Sequence, residues 1–318
     1  MQTYAITLDD VKAAARRIEG IAHRTPTFTC ATLDQLAGRS LYFKCEQWQR
    51  VGAFKFRGAC NAVMKLSDAD AARGVVTHSS GNHAQALALA AKQRGIPAHI
   101  VMPSNATPVK RKAVEGYGAN VIECEPTLIA REVTVARVQA QTGAILIPPF
   151  NHPDVIAGQG TVALEMLADL PELDAIIAPI GGGGLMAGVT LAAKALKPTI
   201  RLFAAEPLNA DDAARSFARK EFVPQTDPKT IADGLLTSMG DLTWPVVRDL
   251  VEAVITVRED EIVAAMRLTW ERAKLLIEPS SAVAVAAVLT PAFRDLPGLK
   301  QVGVVLSGGN VNLDRLPW

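Results

Sequence analysis

Apolar and polar positions alternate along this chain in two styles. Short apolar runs stand at residues 75–78, 98–102, 120–123 and 144–147. Longer stretches of helical character, 84–94, 108–117 and 128–141, lie between and after them. The second half repeats the style with strand-like runs at 174–180, 200–206, 253–257 and 301–306. Such alternation signals mainly parallel sheets carrying helices on their faces. The predicted fold class is therefore α/β. Near the start, Thr7-Leu8-Asp9-Asp10 reads as a helix beginning, with a capping hydroxyl and acids in the first turn. That helix is expected to stop near Gly20. Pro148-Pro149 marks a crossing between domains, because proline restricts both itself and its predecessor.

Three loops rich in small residues fall at strand ends. Ser79-Ser80-Gly81-Asn82-His83-Ala84-Gln85 follows the first run. Gly181-Gly182-Gly183-Gly184 separates the run at 174–180 from a helical stretch at 185–194. Ser307-Gly308-Gly309-Asn310 follows the last run. In open α/β sheets, ligands gather outside the carboxyl ends of strands. The four glycines suit a phosphate. They let the backbone approach closely, and the next helix aims unpaired N–H groups and a positive dipole end at an anion. A dinucleotide turn would need G-x-G-x-x-G. Position 186, where its last glycine belongs, is Met, although Glu206 stands near the acidic-residue distance.

Lys55 lies between two phenylalanines in the Gly/Ala-flanked turn Gly52-Ala53-Phe54-Lys55-Phe56-Arg57-Gly58-Ala59. Desolvation there disfavours its ammonium form. A neutral lysine amine attacks carbonyls and forms Schiff bases. Taken alone, the segment reads first as a lysine with its stem on apolar surface and its charge in water. The three loops reverse that preference.

Together, the segment around Lys55 and the three loops resemble the fold-type II pyridoxal-phosphate enzymes. Within them the likeness is to the serine/threonine dehydratase and serine racemase family, from about Leu8 to Trp318. The resemblance implies two domains, each a mainly parallel twisted sheet flanked by helices. Residues 1–73 and 149–318 would form a large domain and 74–148 a small mobile one, with pyridoxal 5'-phosphate between them. Lys55 would carry the cofactor as a Schiff base. Phe54 and Asn82 would flank its ring, and Gly234 and Glu278 would line it. Gly181, Gly182, Gly183, Gly184 and Leu185 would bind the phosphate, and Ser307 would meet the pyridine nitrogen. Ser80 would face the lysine across the substrate, with Ser79 and His83 beside it. His78 and Arg131 would lie at the substrate's distal end. Ala53 departs from the serine many relatives carry, which removes a hydroxyl near the substrate carboxylate. A homodimer is also implied.

A serine hydroxyl at the ring nitrogen leaves the ring a modest electron sink, which suits loss of a β-hydroxyl. The expected activity is that of a dehydratase, or ammonia-lyase, acting on a β-hydroxy amino acid. Lys55 would be the base, its pKa brought down from about 10.4. A guanidinium at Arg131 suits a carboxylate, so 3-hydroxyaspartate is the favoured substrate, giving oxaloacetate and ammonia. L-serine and L-threonine are further substrates. The closing residues 309–318 look like the hydroxyaspartate-dehydratase branch. An acid at Ser80 opposite Lys55 would instead permit racemisation of serine or aspartate. Ser80 alone also reads as a helix N-cap, and Arg131 as a surface arginine.

Glu206-Pro207-Leu208-Asn209-Ala210-Asp211-Asp212 resembles a Mg²⁺ or Mn²⁺ site, with Glu206, the Ala210 carbonyl and Asp212 as oxygen ligands. The residues by themselves equally describe a helix start capped by Asn209. Composition narrows the rest. A chain of 318 residues suggests roughly two domains. A formal charge of +1 gives no field for nucleic acid or membrane. Met1-Gln2-Thr3-Tyr4-Ala5-Ile6 does not read as a secretory leader, and the apolar runs are too short to span a bilayer. Cys30, Cys45, Cys60 and Cys124 lack paired spacing, which fits a reducing cytoplasm. The five histidines have no zinc-type spacing.

Overall fold

Short apolar runs and helical stretches resolve into two sheets. The computed structural model describes residues 4–106 and 108–318, and the side chains of these except 108–110. Residues 1–3, part of the start discussed above, lie outside the described residues. The described strands are β1 Thr27–Phe28, β2 Ser40–Cys45, β3 Val75–His78, β4 Ala98–Pro103, β5 Asn120–Cys124, β6 Ile145–Leu146, β7 Ala175–Pro179, β8 Arg201–Pro207, β9 Ala253–Val257 and β10 Gln301–Leu306. One sheet runs β1-β2-β10-β7-β8-β9, the other β5-β4-β3-β6. Every strand pair is parallel except β1 with β2. Parallel strands covered by helices on both faces read as continuous apolar runs. All of β7 and all but the first residue of β10 are accordingly buried.

The predicted elements shift by a residue or two at their ends, for local reasons. The first helix, Leu8–Ile18, has the expected capping box between Thr7 and Asp10. The helix expected from residue 84 begins at Asn82, and the one expected from 185 begins at Gly184. Glycines, Gly81 and Gly183, precede them as N-caps. Lys55 stands in no turn. It is the first residue of the helix Lys55–Lys65.

That helix is held by close packing and by buried charge. It crosses the helix Pro153–Asp169 where Gly58 meets Gly158. A side chain at Gly158 would come within 2.6 Å of the Arg57 carbonyl oxygen. Residues two apart on a helix face opposite sides, so Arg57 points away from Lys55 and into the core. Its guanidinium meets Glu46 at 2.7 and 2.9 Å and Glu165 at 2.6 and 2.8 Å. Glu165 also binds Lys44 at 2.6 Å. Burial works against the Arg57 charge, yet Glu46 and Glu165 outweigh it and hold the pKa above its ordinary value. Two cations and two carboxylates thus balance inside the large sheet's core.

No described helix is long and apolar enough to cross a membrane.

Candidate active site

Lys55 is half-buried. Its Nζ donates to the Pro149 carbonyl at 2.7 Å and stands 5.1 Å from the centre of the Phe54 ring. Burial pushes its pKa down to about 8, because the ammonium loses hydration that one carbonyl replaces only in part. Behind the lysine, the third loop is stitched to the same segment. The Phe54 N–H donates to the Ser307 carbonyl at 3.0 Å, and Ala53 bridges Gly308. Ser307 is buried.

The first loop reaches the third across the two sheets. Asn82 Nδ2 donates to Glu278 Oε1 at 2.9 Å, and its Oδ1 accepts from Asn310 Nδ2 at 2.8 Å. The Asn310 N–H donates to Glu278 Oε2 at 2.9 Å. Glu278 therefore receives one donor from each loop. His83 is buried; its Nε2 lies 2.9 Å from the Ile147 carbonyl. A carbonyl only accepts, so that nitrogen carries the proton. Burial first, then the charge of nearby Lys55, pushes the His83 pKa down to about 3. The ring is neutral, and its Nδ1 lone pair is buried without a partner among the described residues.

Ser80 is half-buried. The helix after it is capped by Gly81, with no side-chain cap bond. The capping role read above for Ser80 is thereby corrected. Ser79 turns inward on its own loop, its hydroxyl accepting from the Gly81 N–H at 3.3 Å. His78 and Arg131 sit beside each other. Burial and then the Arg131 charge lower the His78 pKa. Arg131 Nε is buried without a partner among the described residues.

The tetraglycine loop leaves no room for side chains. A Cβ would lie 2.9 Å from Leu235 Cα at Gly181, 2.3 Å from the Phe150 ring at Gly182, 2.8 Å from Thr243 at Gly183, and 2.9 Å from Phe150 at Gly184. Gly183 also has φ +82°, the left-handed region that favours glycine. No side chain caps the helix Gly184–Leu196, so its first N–H groups are available to an anion. Leu185 is buried at that helix start. Gly234 borders Gly181, and its N–H donates to Ser280 Oγ at 3.0 Å. A bare backbone cradle at one end and a desolvated amine at the other fit a phosphorylated aldehyde.

Glu206, Ala210 and Asp212 are all buried at the end of β8. Glu206 caps the helix Asp212–Arg219, accepting from the N–H groups of Ala213 at 2.9 Å and Ala214 at 2.8 Å. The cap assigned above to Asn209 is corrected accordingly. Burial, then the neighbouring Asp212 charge, pushes the Glu206 pKa up to about 9. Burial also pushes Asp212 up to about 6. Asp212 Oδ2 accepts from the Met239 N–H at 3.2 Å, while Oδ1 is buried without a partner among the described residues. An orphaned oxygen beside a second buried carboxylate fits a hard cation. The described residues hold no group of three or more His, Cys, Asp or Glu with metal-binding placement. The Ala210 carbonyl and water would have to complete the shell.

Four contributors escaped the sequence reading. Pro149 holds the lysine amine, Phe150 packs on Gly182 and Gly184, and Thr243 packs on Gly183. Asn310 was visible only as part of a loop, and its bridging role lies in contacts over 228 residues of separation.

Comparison with known proteins identifies the fold and the family. Residues 18–308 match the family described as "Pyridoxal-phosphate dependent enzyme". Serine racemase of Arabidopsis thaliana is 52% identical over 318 residues, covering 99% of this chain and 96% of its own. The structure of maize serine racemase superposes with a TM-score of 0.97 at 49% identity, covering 98% of this chain and 95% of that one. The crystal structure of a pyridoxal 5'-phosphate-dependent aspartate racemase gives a TM-score of 0.93 at 40% identity, covering all of both chains. The chain belongs to the serine racemase/threonine dehydratase family of fold-type II pyridoxal-phosphate enzymes.

Proposed function

We propose that the protein racemises serine and also eliminates water from β-hydroxy amino acids. The likeness to serine racemases favours this over the hydroxyaspartate dehydratase expected first. The reading is supported by a Lys55 amine whose charge acts on His83 of the Ser80 loop, and by a Ser80 hydroxyl that caps no helix. When bound, pyridoxal phosphate draws electron density from the α-carbon of an attached amino acid and so makes its Cα–H acidic. Lys55, with a pKa of about 8, is suited to take and return that proton near neutral pH. Ser80 holds a second proton for the opposite face. Removal of the proton on one face and delivery on the other inverts Cα, whereas elimination takes the α-proton to the lysine, does not use the Ser80 proton, and lets the β-hydroxyl leave as water once it has received a proton.

The remaining residues orient and exclude water. The glycines of the cradle with Leu185 would hold the phosphate, Phe54, Asn82, Gly234 and Glu278 would border the ring, and Ser307 would meet its nitrogen. Ser79 and His83 would receive the substrate, the His83 Nδ1 lone pair accepting a donor. The unit 74–148 would close on the rest of the chain through Asn82, Glu278 and Asn310, sealing the site. Mg²⁺ or Mn²⁺ would occupy Glu206, Ala210 and Asp212. A cytoplasmic homodimer acting on small amino acids completes the proposal.

A second reading rests on Arg131. Its buried, unpartnered Nε beside His78 offers a carboxylate a charge-assisted bond, which supports 3-hydroxyaspartate as a further substrate.

The deciding experiment incubates the cofactor-loaded protein with L-serine and scores D-serine and pyruvate separately. Both products are expected. Ser80→Ala should suppress D-serine and spare pyruvate formation. Equal loss of the two would make Ser80 structural, and no D-serine from the unaltered protein would refute racemisation.

A further inference from the structure

The loop from Met239 to Thr243 touches both ends of the span that the cofactor would bridge. At the phosphate end, Thr243 is fully buried. Its hydroxyl donates to the Gly182 carbonyl at 2.9 Å and accepts from the Gly240 N–H at 2.9 Å. The Gly240 carbonyl, at 3.2 Å, competes for the same proton, and a hydroxyl has only one to give. The Thr243 side chain also fills the space beside Gly183, where an added Cβ would lie 2.8 Å away. At the lysine end, the Leu242 N–H donates to Asn151 Oδ1 at 3.1 Å, and Asn151 Nδ2 donates to Asp241 at 2.7 Å. Asn151 stands two residues from Pro149, whose carbonyl receives the Lys55 amine. Between them Phe150 packs on Gly182 and Gly184.

Glycine brings close approach and conformational freedom together, and the second works against the first. A cradle of four glycines must be held from outside if its N–H groups are to converge on an anion. We propose that Thr243 is a positioning residue that clamps the tetraglycine loop, with Asn151 tying the same clamp to the lysine segment. This rests on the assignment of the glycine loop to the cofactor phosphate. Thr243 touches no reacting atom. It acts by pinning the Gly182 carbonyl, which turns the peptide that follows.

Thr243→Val keeps the shape and removes both bonds, leaving the buried Gly182 carbonyl and the half-buried Gly240 N–H without the hydroxyl. Thr243→Ser keeps the hydroxyl and removes a methyl. The test measures the dissociation constant for pyridoxal 5'-phosphate by fluorescence titration of apoprotein, and the ³¹P resonance of the bound phosphate. Thr243→Val should bind on the order of tenfold more weakly, as expected for a lost buried hydrogen bond, with a shifted ³¹P resonance. Thr243→Ser should restore both to near the unaltered values. Unchanged affinity in Thr243→Val, or a Thr243→Ser protein as weak as the valine variant, overturns the clamp. Should Thr243→Val fail to fold, Asn151→Ala decides instead: weakened cofactor binding supports the clamp, and unaltered binding overturns it. If the unaltered protein takes up no cofactor, the phosphate assignment fails, a result distinct from any of these.

Discussion

Replacing Arg57 by methionine tests how the lysine helix is anchored. Arg57 makes two paired contacts, to Glu46 at 2.7 and 2.9 Å and to Glu165 at 2.6 and 2.8 Å. Its side chain is 1% exposed and that of Glu46 is 0%, so water cannot substitute for the donors Glu46 loses. Methionine fills much of the volume but leaves the buried Glu46 and the partly exposed Glu165 with Lys44 as the remaining cation of the cluster. Breaking a buried pair by deleting one partner costs about 3–5 kcal/mol, against a total stability of about 5–15 kcal/mol for a typical domain. Urea unfolding of the apoprotein followed by fluorescence should therefore show a loss in that range. Arg57→Lys should lose less, because it keeps the charge but not the planar fork. Arg24→Met, which deletes a pair 57% and 41% exposed, should leave the midpoint nearly unmoved. An Arg57→Met loss below about 1 kcal/mol would refute the reasoning, since a buried unpaired carboxylate cannot be that cheap.

Two further tests address the site. In apoprotein, labelling of Lys55 by an uncharged acylating reagent should follow a midpoint near pH 8, and a midpoint at 10 or above would show a hydrated amine. The unfolded chain keeps that proton to about pH 10.4, so this group makes folding more favourable as pH rises from 8 to 10.4. That part of the pH slope should vanish in Lys55→Met. Added Mg²⁺ should raise the melting temperature of chelator-treated protein, by as much as about 2.7 kcal/mol of stabilisation at a hundredfold excess over its dissociation constant. Asp212→Asn should abolish the gain, and an indifferent unaltered protein would rule the cation out.

Much of this molecule is legible in its sequence because the governing physics is local. Apolar runs that alternate with helical stretches predict parallel sheets, and β3 to β10 lie within two residues of where the pattern puts them. Thr7 and Asp10 are three residues apart, so their capping box can be read directly. Four consecutive glycines between a strand and a helix announce a place where backbone must face a ligand. Local reading also misassigned single caps. Ser80 and Asn209 have the right chemistry for helix starts, but Gly81 occupies the first and the Glu206 carboxylate, at the end of the preceding strand, serves the second.

What the chain alone decides is its layering, the lysine set between two phenylalanines and the four-glycine turn, since each is written in neighbours. Tertiary structure decides what those parts meet. Arg57 looks in sequence like any helix arginine, yet folding buries it against carboxylates 11 and 108 residues away. Asn82 and Glu278 stand 196 residues apart, and Thr243 reaches Gly182 over 61. Short spacing leaves a pattern that elementary stereochemistry can decode. Contacts made only when two sheets and their helices pack together leave none, because many sequences could supply the same hydroxyl or carboxylate at that point in space.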